Sequence, residues 1–179
     1  PSQLNEKWFS SYKNPDLNKI KLLYVGRIKV EKGIFSLLKI LKDFKLNFKL
    51  SIIGVGTNTN HKINQNNINI FDFNNENDSI IKVYDDHNIF VLPSFTEGHP
   101  QVLDEALARQ RPVIIFEEIS HVIGNKKGIF VSKRDSISLS NTINHIISNY
   151  QSIQEKIMQN ILPTKASFLK QMTNIIKGK

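Results

Sequence analysis

The stretch KIKLLYVGRIKVEKGIFSLLKILKDFKLNFKLSIIG, residues 19–54, decides the fold. It opens and closes on short, nearly continuous apolar runs, KIKLLYV (19–25) and FKLSIIG (48–54). Runs of this kind, rather than alternating ones, are how strands buried on both faces of a parallel sheet read. Between them, EKGIFSLLKILKDF places Ile34, Leu37, Leu38 and Leu41 on one stripe at helical spacing. Strand, helix, strand within 36 residues predicts a βαβ unit, whose two strands lie parallel because the helix carries the chain back.

The same alternation continues outward. INIFDF (68–73), NIFVLPS (88–94), PVIIF (112–116) and GIFVS (128–132) read as further buried strands, and ENDSIIKVYDD brings Ile80, Ile81 and Tyr84 onto one helical face. The expected fold is therefore α/β, a Rossmann-like doubly wound parallel sheet. The Asn-rich NQNNINIFDFNNENDS is too short for an interdomain linker and reads as loop, short strand and loop. SISLSNTINHIISNYQSIQEKIMQNIL is helical throughout by pattern, with Leu139, Ile143, Ile146 and Ile147 in register. Pro163 breaks it, and KASFLKQMTNIIK forms a last amphipathic helix with Phe168, Leu169, Met172, Ile175 and Ile176 apolar.

Composition narrows the function classes. At 179 residues and 40% hydrophobic content the chain fills one good core, and the absence of cysteine removes disulfide and thiolate chemistry. The net charge of +8 and pI of about 9.6 would suit an anionic partner. The lysines, however, are scattered, rising together with Asn and Ile as in an AT-rich genome. No aromatic-basic motif or basic helix stands out, so no nucleic-acid partner is expected. No apolar run approaches a membrane span and no signal-peptide pattern opens the chain, which starts at Pro1. A cytoplasmic location is expected.

In a doubly wound sheet, ligands bind at the carboxyl ends of the strands. Three loops qualify: GRIKVEKG (26–33), GVGTNTN (54–60) and PSFTEGHP (93–100). In the first, Gly26 ends a strand, Arg27 is placed over the sheet edge, and Lys32 and Gly33 stand at the mouth of the next helix. Two cations at a helix N-terminus make a site for a dianion such as a diphosphate. In the third, Gly98 allows close backbone approach or a positive φ, and Pro100 suits a first helical turn. The free N–H groups of Gln101, Val102 and Leu103 would then form a second anion cradle facing the first. Glu97 precedes that helix, and Glu105 sits one turn after Gln101, where an acid can accept hydrogen bonds from vicinal hydroxyls. The run Asp85-Asp86-His87 lacks metal-ligand spacing, so no metal is expected.

Gly-Arg then Lys-Gly after the first strand, and Pro-Ser-x-x-Glu-Gly-x-Pro with a second Glu eight positions after the first, resembles the C-terminal, donor-binding domain of the family 4 (group 1) retaining glycosyltransferases. These have the two-domain GT-B architecture. The resemblance runs from about residue 20 to 150. It implies that Arg27 and Lys32 hold the donor diphosphate, that Glu97 contacts the transferred sugar, and that Glu105 binds the ribose. Gly26, Gly98, His99, Pro100, Gln101, Val102 and Leu103 are the accompanying donor-site positions, with Phe71, and more weakly Ile70, near the base. FEEISHVIGNKKG departs from the pattern: where relatives carry a Gly pair and a Glu, His121 takes the place of that Glu.

The resemblance further implies a nucleotide-diphosphate sugar as donor substrate, no metal cofactor, and a saccharide or lipid-linked acceptor, the setting of polysaccharide or lipopolysaccharide biosynthesis in bacteria. It divides the chain into a connecting segment 1–18, a nucleotide-sugar-binding domain 19–162 and a terminal helix 163–179. An N-terminal acceptor domain is missing from a chain of this size, and without it the isolated domain is expected to transfer nothing. The acceptor class and the last helix also allow peripheral association with the cytoplasmic face of the inner membrane. Two other classes stay open: an epimerase-like GT-B enzyme, which shares the anion cradle but has no need of the paired Glu, and a non-catalytic nucleotide-binding α/β module.

Overall fold

The computed structural model describes residues 4–54, 66–72 and 80–176. Six strands, β1 (Ile20–Val25), β2 (Phe48–Gly54), β3 (Ile68–Asp72), β4 (Ile89–Leu92), β5 (Val113–Phe116) and β6 (Ile129–Ser132), form one sheet in the order β3-β2-β1-β4-β5-β6. Every pairing is parallel. The chain winds outward from β1 to β3, then restarts beside β1 with β4 and winds the other way. That reversal opens a crevice at the carboxyl ends of β1 and β4. The Rossmann-like expectation is met strand by strand.

The helices are α1 (Ile34–Lys42), α2 (Ile80–Asp85), α3 (Gln101–Ala108), α4 (Ser136–Ser148), α5 (Tyr150–Ile157) and α6 (Lys165–Ile176). The central strands are the core: all four residues of β4 and all four of β5 are buried. Each such Val, Ile or Phe contributes about 1.5–3 kcal/mol by leaving water. On α1 the buried stripe is Ile34, Leu37, Ile40 and Leu41, with Leu38 only partly covered. The face turned to the sheet is thus rotated toward position 40 and away from 38.

The long helix expected over 136–162 is two helices. Asn149, with φ −120° and ψ 21°, ends α4, and its side-chain Nδ2 donates to the carbonyl of His145 at 2.8 Å. An Asn that bonds the backbone in this way offers it an alternative to the helical ladder.

Two buried arginines tie the start of the chain to the sheet. Arg109 grips the Asp85 carboxylate through Nε and Nη2 (2.9 and 2.8 Å) and donates to the carbonyls of Trp8, Ser10 and Ser11. Arg111 donates to the carbonyls of Tyr84, Asp85 and Lys13. Leu4 forms a parallel bridge with Thr164, just ahead of α6. The apolar residues Leu169, Met172 and Ile175 of α6 are exposed. Among the described residues no helix is long and apolar enough to cross a membrane.

Candidate functional site

The first loop leaves β1 at Gly26, whose amide donates to Ile53 O on β2 at 3.0 Å. The Tyr24 hydroxyl holds the next turn by donating to Arg27 O at 2.7 Å. Burial, with Glu97 nearby, pushes that phenol's pKa up, so it remains a neutral donor. A short 3-10 turn, Val30–Lys32, then leads into Gly33, which takes a left-handed conformation (φ 67°) at the head of α1.

Gly33 is where the two candidate loops meet. A Cβ there would lie 1.8 Å from the carbonyl oxygen of Pro93, so a side chain of any size is excluded. Phe95 N donates to Glu31 O at 3.0 Å and fastens the loops a second time. Arg134 fastens them from below. Its guanidinium lies between the rings of Phe95 and Phe116 (4.1 and 4.3 Å to the centroids), donates to Pro93 O and Ser94 O, and forms a two-pronged pair with Glu118. That hydrogen-bonded pairing holds the Glu118 carboxyl below its ordinary pKa.

With the loops locked together, Lys32 Nζ donates to Glu97 Oε1 at 2.7 Å, and Ser94 Oγ donates to the same oxygen at 2.7 Å. The pair is partly shielded, with 22% of the Lys32 and 11% of the Glu97 side chain exposed. His121 Nε2 donates to the carbonyl of Glu97 at 2.7 Å. The residue that departs from the family pattern thus packs its ring against the loop bearing the first acid.

Arg27, Lys32, Glu97, His99, Pro100, Gln101 and Val102 surround one hollow of about 440 Å³ with Tyr24, Val25, Gly26 and Leu92, a size in the range of small-molecule clefts. Pro100 stands at the N-cap of α3, so the amides of Gln101 and Val102 fall in the first turn, where no helical carbonyl precedes them. Leu103 does not share this role. Its amide bonds to Pro100 O at 3.1 Å and its side chain is buried in the core, so the helix mouth offers two amides and not the three expected. Gly98 needs no unusual conformation either: its φ is not positive, and a Cβ would meet nothing within 4 Å.

Glu105 stands one turn behind the hollow and does not line it. Its carboxylate accepts the Tyr84 hydroxyl at 2.9 Å and a side-chain hydrogen bond from Gln101. Burial outweighs these two bonds and raises its pKa. Tyr84 is itself fully buried, edge-on to Trp8. Phe71 is half exposed on β3, the outermost strand, and is not part of the hollow; Ile70 is partly buried on the same strand. Residues 55–60 of the second candidate ligand loop, after β2, and the loop after β3, expected near the base, lie outside the described residues.

Sequence reasoning missed Tyr24, Ser94, Tyr84 and Arg134; the last two act through contacts distant in sequence, whereas Tyr24 and Ser94 reach only three residues along, to Arg27 and Glu97. It also missed Asp104, a fully buried acid on α3 with His99 Nε2 at 3.2 Å from one oxygen and Lys126 Nζ at 3.4 Å from the other. A signal existed there: an acid set between Leu103 and Leu107 on the stripe that faces the core. Asp85, Asp86 and His87 diverge, to Arg109, to Lys13, and to Val83 O with Ser51 Oγ. Among the described residues no group of three or more potential metal ligands assembles.

The comparisons with known proteins follow this geometry. Residues 6–161 match the family described as "Glycosyl transferases group 1". The capsular polysaccharide biosynthesis glycosyltransferase CapM of Staphylococcus aureus is 33% identical over 150 residues, covering 76% of this chain and 39% of that protein. Among solved structures, the sucrose-phosphate synthase of Thermosynechococcus elongatus superposes with a TM-score of 0.76 at 19% identity, over 99% of this chain and 51% of its own. Anabaena Alr3699/HepE, captured with UDP and glucose, superposes with a TM-score of 0.71 at 15% identity, over 90% of this chain and 49% of its own. This chain therefore spans about half of these structures and about two-fifths of CapM. On the match to residues 6–161 and the Rossmann-like sheet beneath it, the chain belongs to the group 1 glycosyltransferases.

Proposed function

We propose that the hollow at the β1–β4 crevice binds a nucleotide-diphosphate sugar, and that the domain supports retaining transfer of that sugar to a saccharide or lipid-linked acceptor. The observation that carries this reading is the convergence of Arg27, Lys32 and the two free amides of α3 on one hollow with Glu97 at its edge. In such a transfer the bond from the sugar's anomeric carbon to the diphosphate breaks, an acceptor hydroxyl takes its place, and the nucleoside diphosphate leaves with the bonding electrons. Negative charge grows on the leaving group, and two cations and a helix mouth that line the same hollow are the groups suited to stabilise it. No metal is required for this. Glu97 lies where a carboxylate supports a developing oxocarbenium ion or holds sugar hydroxyls, and Glu105, one turn behind, is the acid for the ribose.

CapM's role in capsular polysaccharide biosynthesis supports a surface polysaccharide as the product, and the UDP and glucose held by Alr3699/HepE support a UDP-sugar as donor. The acceptor is assigned to a second domain, whose closure on this one completes the site. Titration with UDP, GDP and ADP and their glucose derivatives, followed by calorimetry, tests the reading. A charged hydrogen bond is worth about 1.5–3 kcal/mol, so Lys32→Ala, which also removes the resident Lys32–Glu97 pair, should weaken binding by at most roughly ten- to a hundredfold. If Lys32→Ala and Arg27→Ala both leave nucleotide affinity unchanged, the hollow is not the donor site.

A further inference from the structure

The oxygens of Asp104 pose a separate question. Its side chain is fully buried, and neither carboxylate oxygen accepts a hydrogen bond; the two nitrogens beside it, His99 Nε2 and Lys126 Nζ, approach to 3.2 and 3.4 Å. A charge taken wholly out of water and left without hydrogen bonds destabilises the fold unless something else is gained. A Leu in this position would pack against the neighbouring Leu103 and Leu107 with no such penalty. The gain is visible in what the carboxylate holds. His99 comes from the loop before α3, half of its side chain is exposed, and it lines the hollow. The negative carboxylate 3.2 Å away favours the imidazole proton on the nearer nitrogen, Nε2, and Nδ1 is the ring nitrogen left for a ligand. Lys126 follows the 3-10 segment Glu117–Ile123, whose His121 holds Glu97 O. The carboxylate thus lies between the loop before α3 and the segment that follows β5.

We infer that Asp104 is a positioning residue that, with Lys126, fixes the His99 imidazole by Nε2 at the mouth of α3, so that Nδ1 accepts a hydrogen bond from a sugar hydroxyl of a nucleotide sugar bound in the hollow. This deepens the donor-site reading and rests on it. The test is a double-mutant cycle on the whole chain with UDP-glucose, and with GDP- and ADP-glucose should either bind better. His99→Ala and Asp104→Leu should each weaken binding roughly 2- to 12-fold, the worth of one hydrogen bond, and the double variant should lose no more than either single one. Thermal unfolding of Asp104→Leu should be unchanged or raised, which separates the effect from misfolding.

Imidazole nitrogen NMR gives a readout that needs no ligand. His99 should carry its proton on Nε2 in the unaltered chain and lose that preference in Asp104→Leu. Additive losses, an Asp104→Leu variant that binds like the unaltered chain, or a His99 tautomer indifferent to Asp104 would each overturn the inference. Failure of the unaltered chain to bind any of the nucleotides would instead overturn the donor-site reading and, with it, the ligand role of His99. The tautomer measurement would still decide the Asp104–His99 coupling.

Discussion

Gly33→Ala is the perturbation whose size the structure fixes most closely. The new methyl would start 1.8 Å from Pro93 O, and real Cβ atoms essentially never come under 3.0 Å, so the Pro93 carbonyl or the head of α1 has to retreat by more than 1 Å. The φ of 67° adds about 1–2 kcal/mol of strain for any residue with a Cβ. Moving the carbonyl also breaks its 3.0 Å hydrogen bond from Arg134, which is worth about 1.5–3 kcal/mol as a charged bond. Taken together these put the loss at roughly 2.5–5 kcal/mol, or about 5–20 °C in Tm for a domain of this size. Because the displaced loop carries Ser94 and Glu97, the nucleotide affinity of the surviving folded fraction should fall as well. Gly98→Ala is the matched control. It meets nothing within 4 Å and needs no special φ, so its Tm should stay within about 2 °C of the original. Scanning calorimetry of the two variants decides the matter. A Gly33→Ala chain as stable as Gly98→Ala would show that the two loops are not in contact as described.

Other outcomes follow from the same geometry. Glu105 has a pKa raised above 4.5 by burial, so affinity for a nucleotide that uses its carboxylate should fall as pH drops toward that raised value, earlier than for an exposed acid. Glu105→Gln should flatten this dependence. The same raised pKa means that the ionised acid is a burden on the fold: the stability present at low pH is lost as pH rises through the folded pKa, and Glu105→Gln should raise Tm at neutral pH. His87 shows the opposite sign. Burial lowers its pKa below 6.5, so stability present above 6.5 is lost as pH falls through the folded value, and His87→Gln should weaken that acid sensitivity in thermal melts. Arg109→Met strands Asp85 and frees three carbonyls of the N-terminal segment. It should cost about 3–5 kcal/mol and expose Trp8, measurable by its fluorescence.

The sheet was legible because buried parallel strands announce themselves: β1, β2, β4, β5 and β6 are continuous apolar runs bounded by Gly, Pro or charge. Helix boundaries were less so. The break at Asn149 depends on one side chain choosing the backbone over solvent, which periodicity does not register. At the candidate site, the loop residues Arg27, Lys32, Glu97 and His99 could be named in advance because they follow strands at the carboxyl edge. The groups that orient them could not. Arg134 reaches Pro93 across 41 residues and Tyr84 reaches Glu105 across 21, and nothing local in either stretch marks the partner. Leu103 shows the reverse failure: counting free amides from the helix start overlooked the carbonyl of Pro100, which takes the third.

The Lys32–Glu97 pair bears on how tightly any anion can settle in this crevice. The ammonium already has a resident counter-anion, seconded by the Ser94 hydroxyl, so an incoming diphosphate enters by exchange and not into an empty socket. What a titration records is then the surplus of the new partnership over the old one. On the donor-site reading proposed above, the leaving nucleoside diphosphate would gain a further negative charge as the glycosyl bond breaks, and the ammonium's hold on it would tighten at that step.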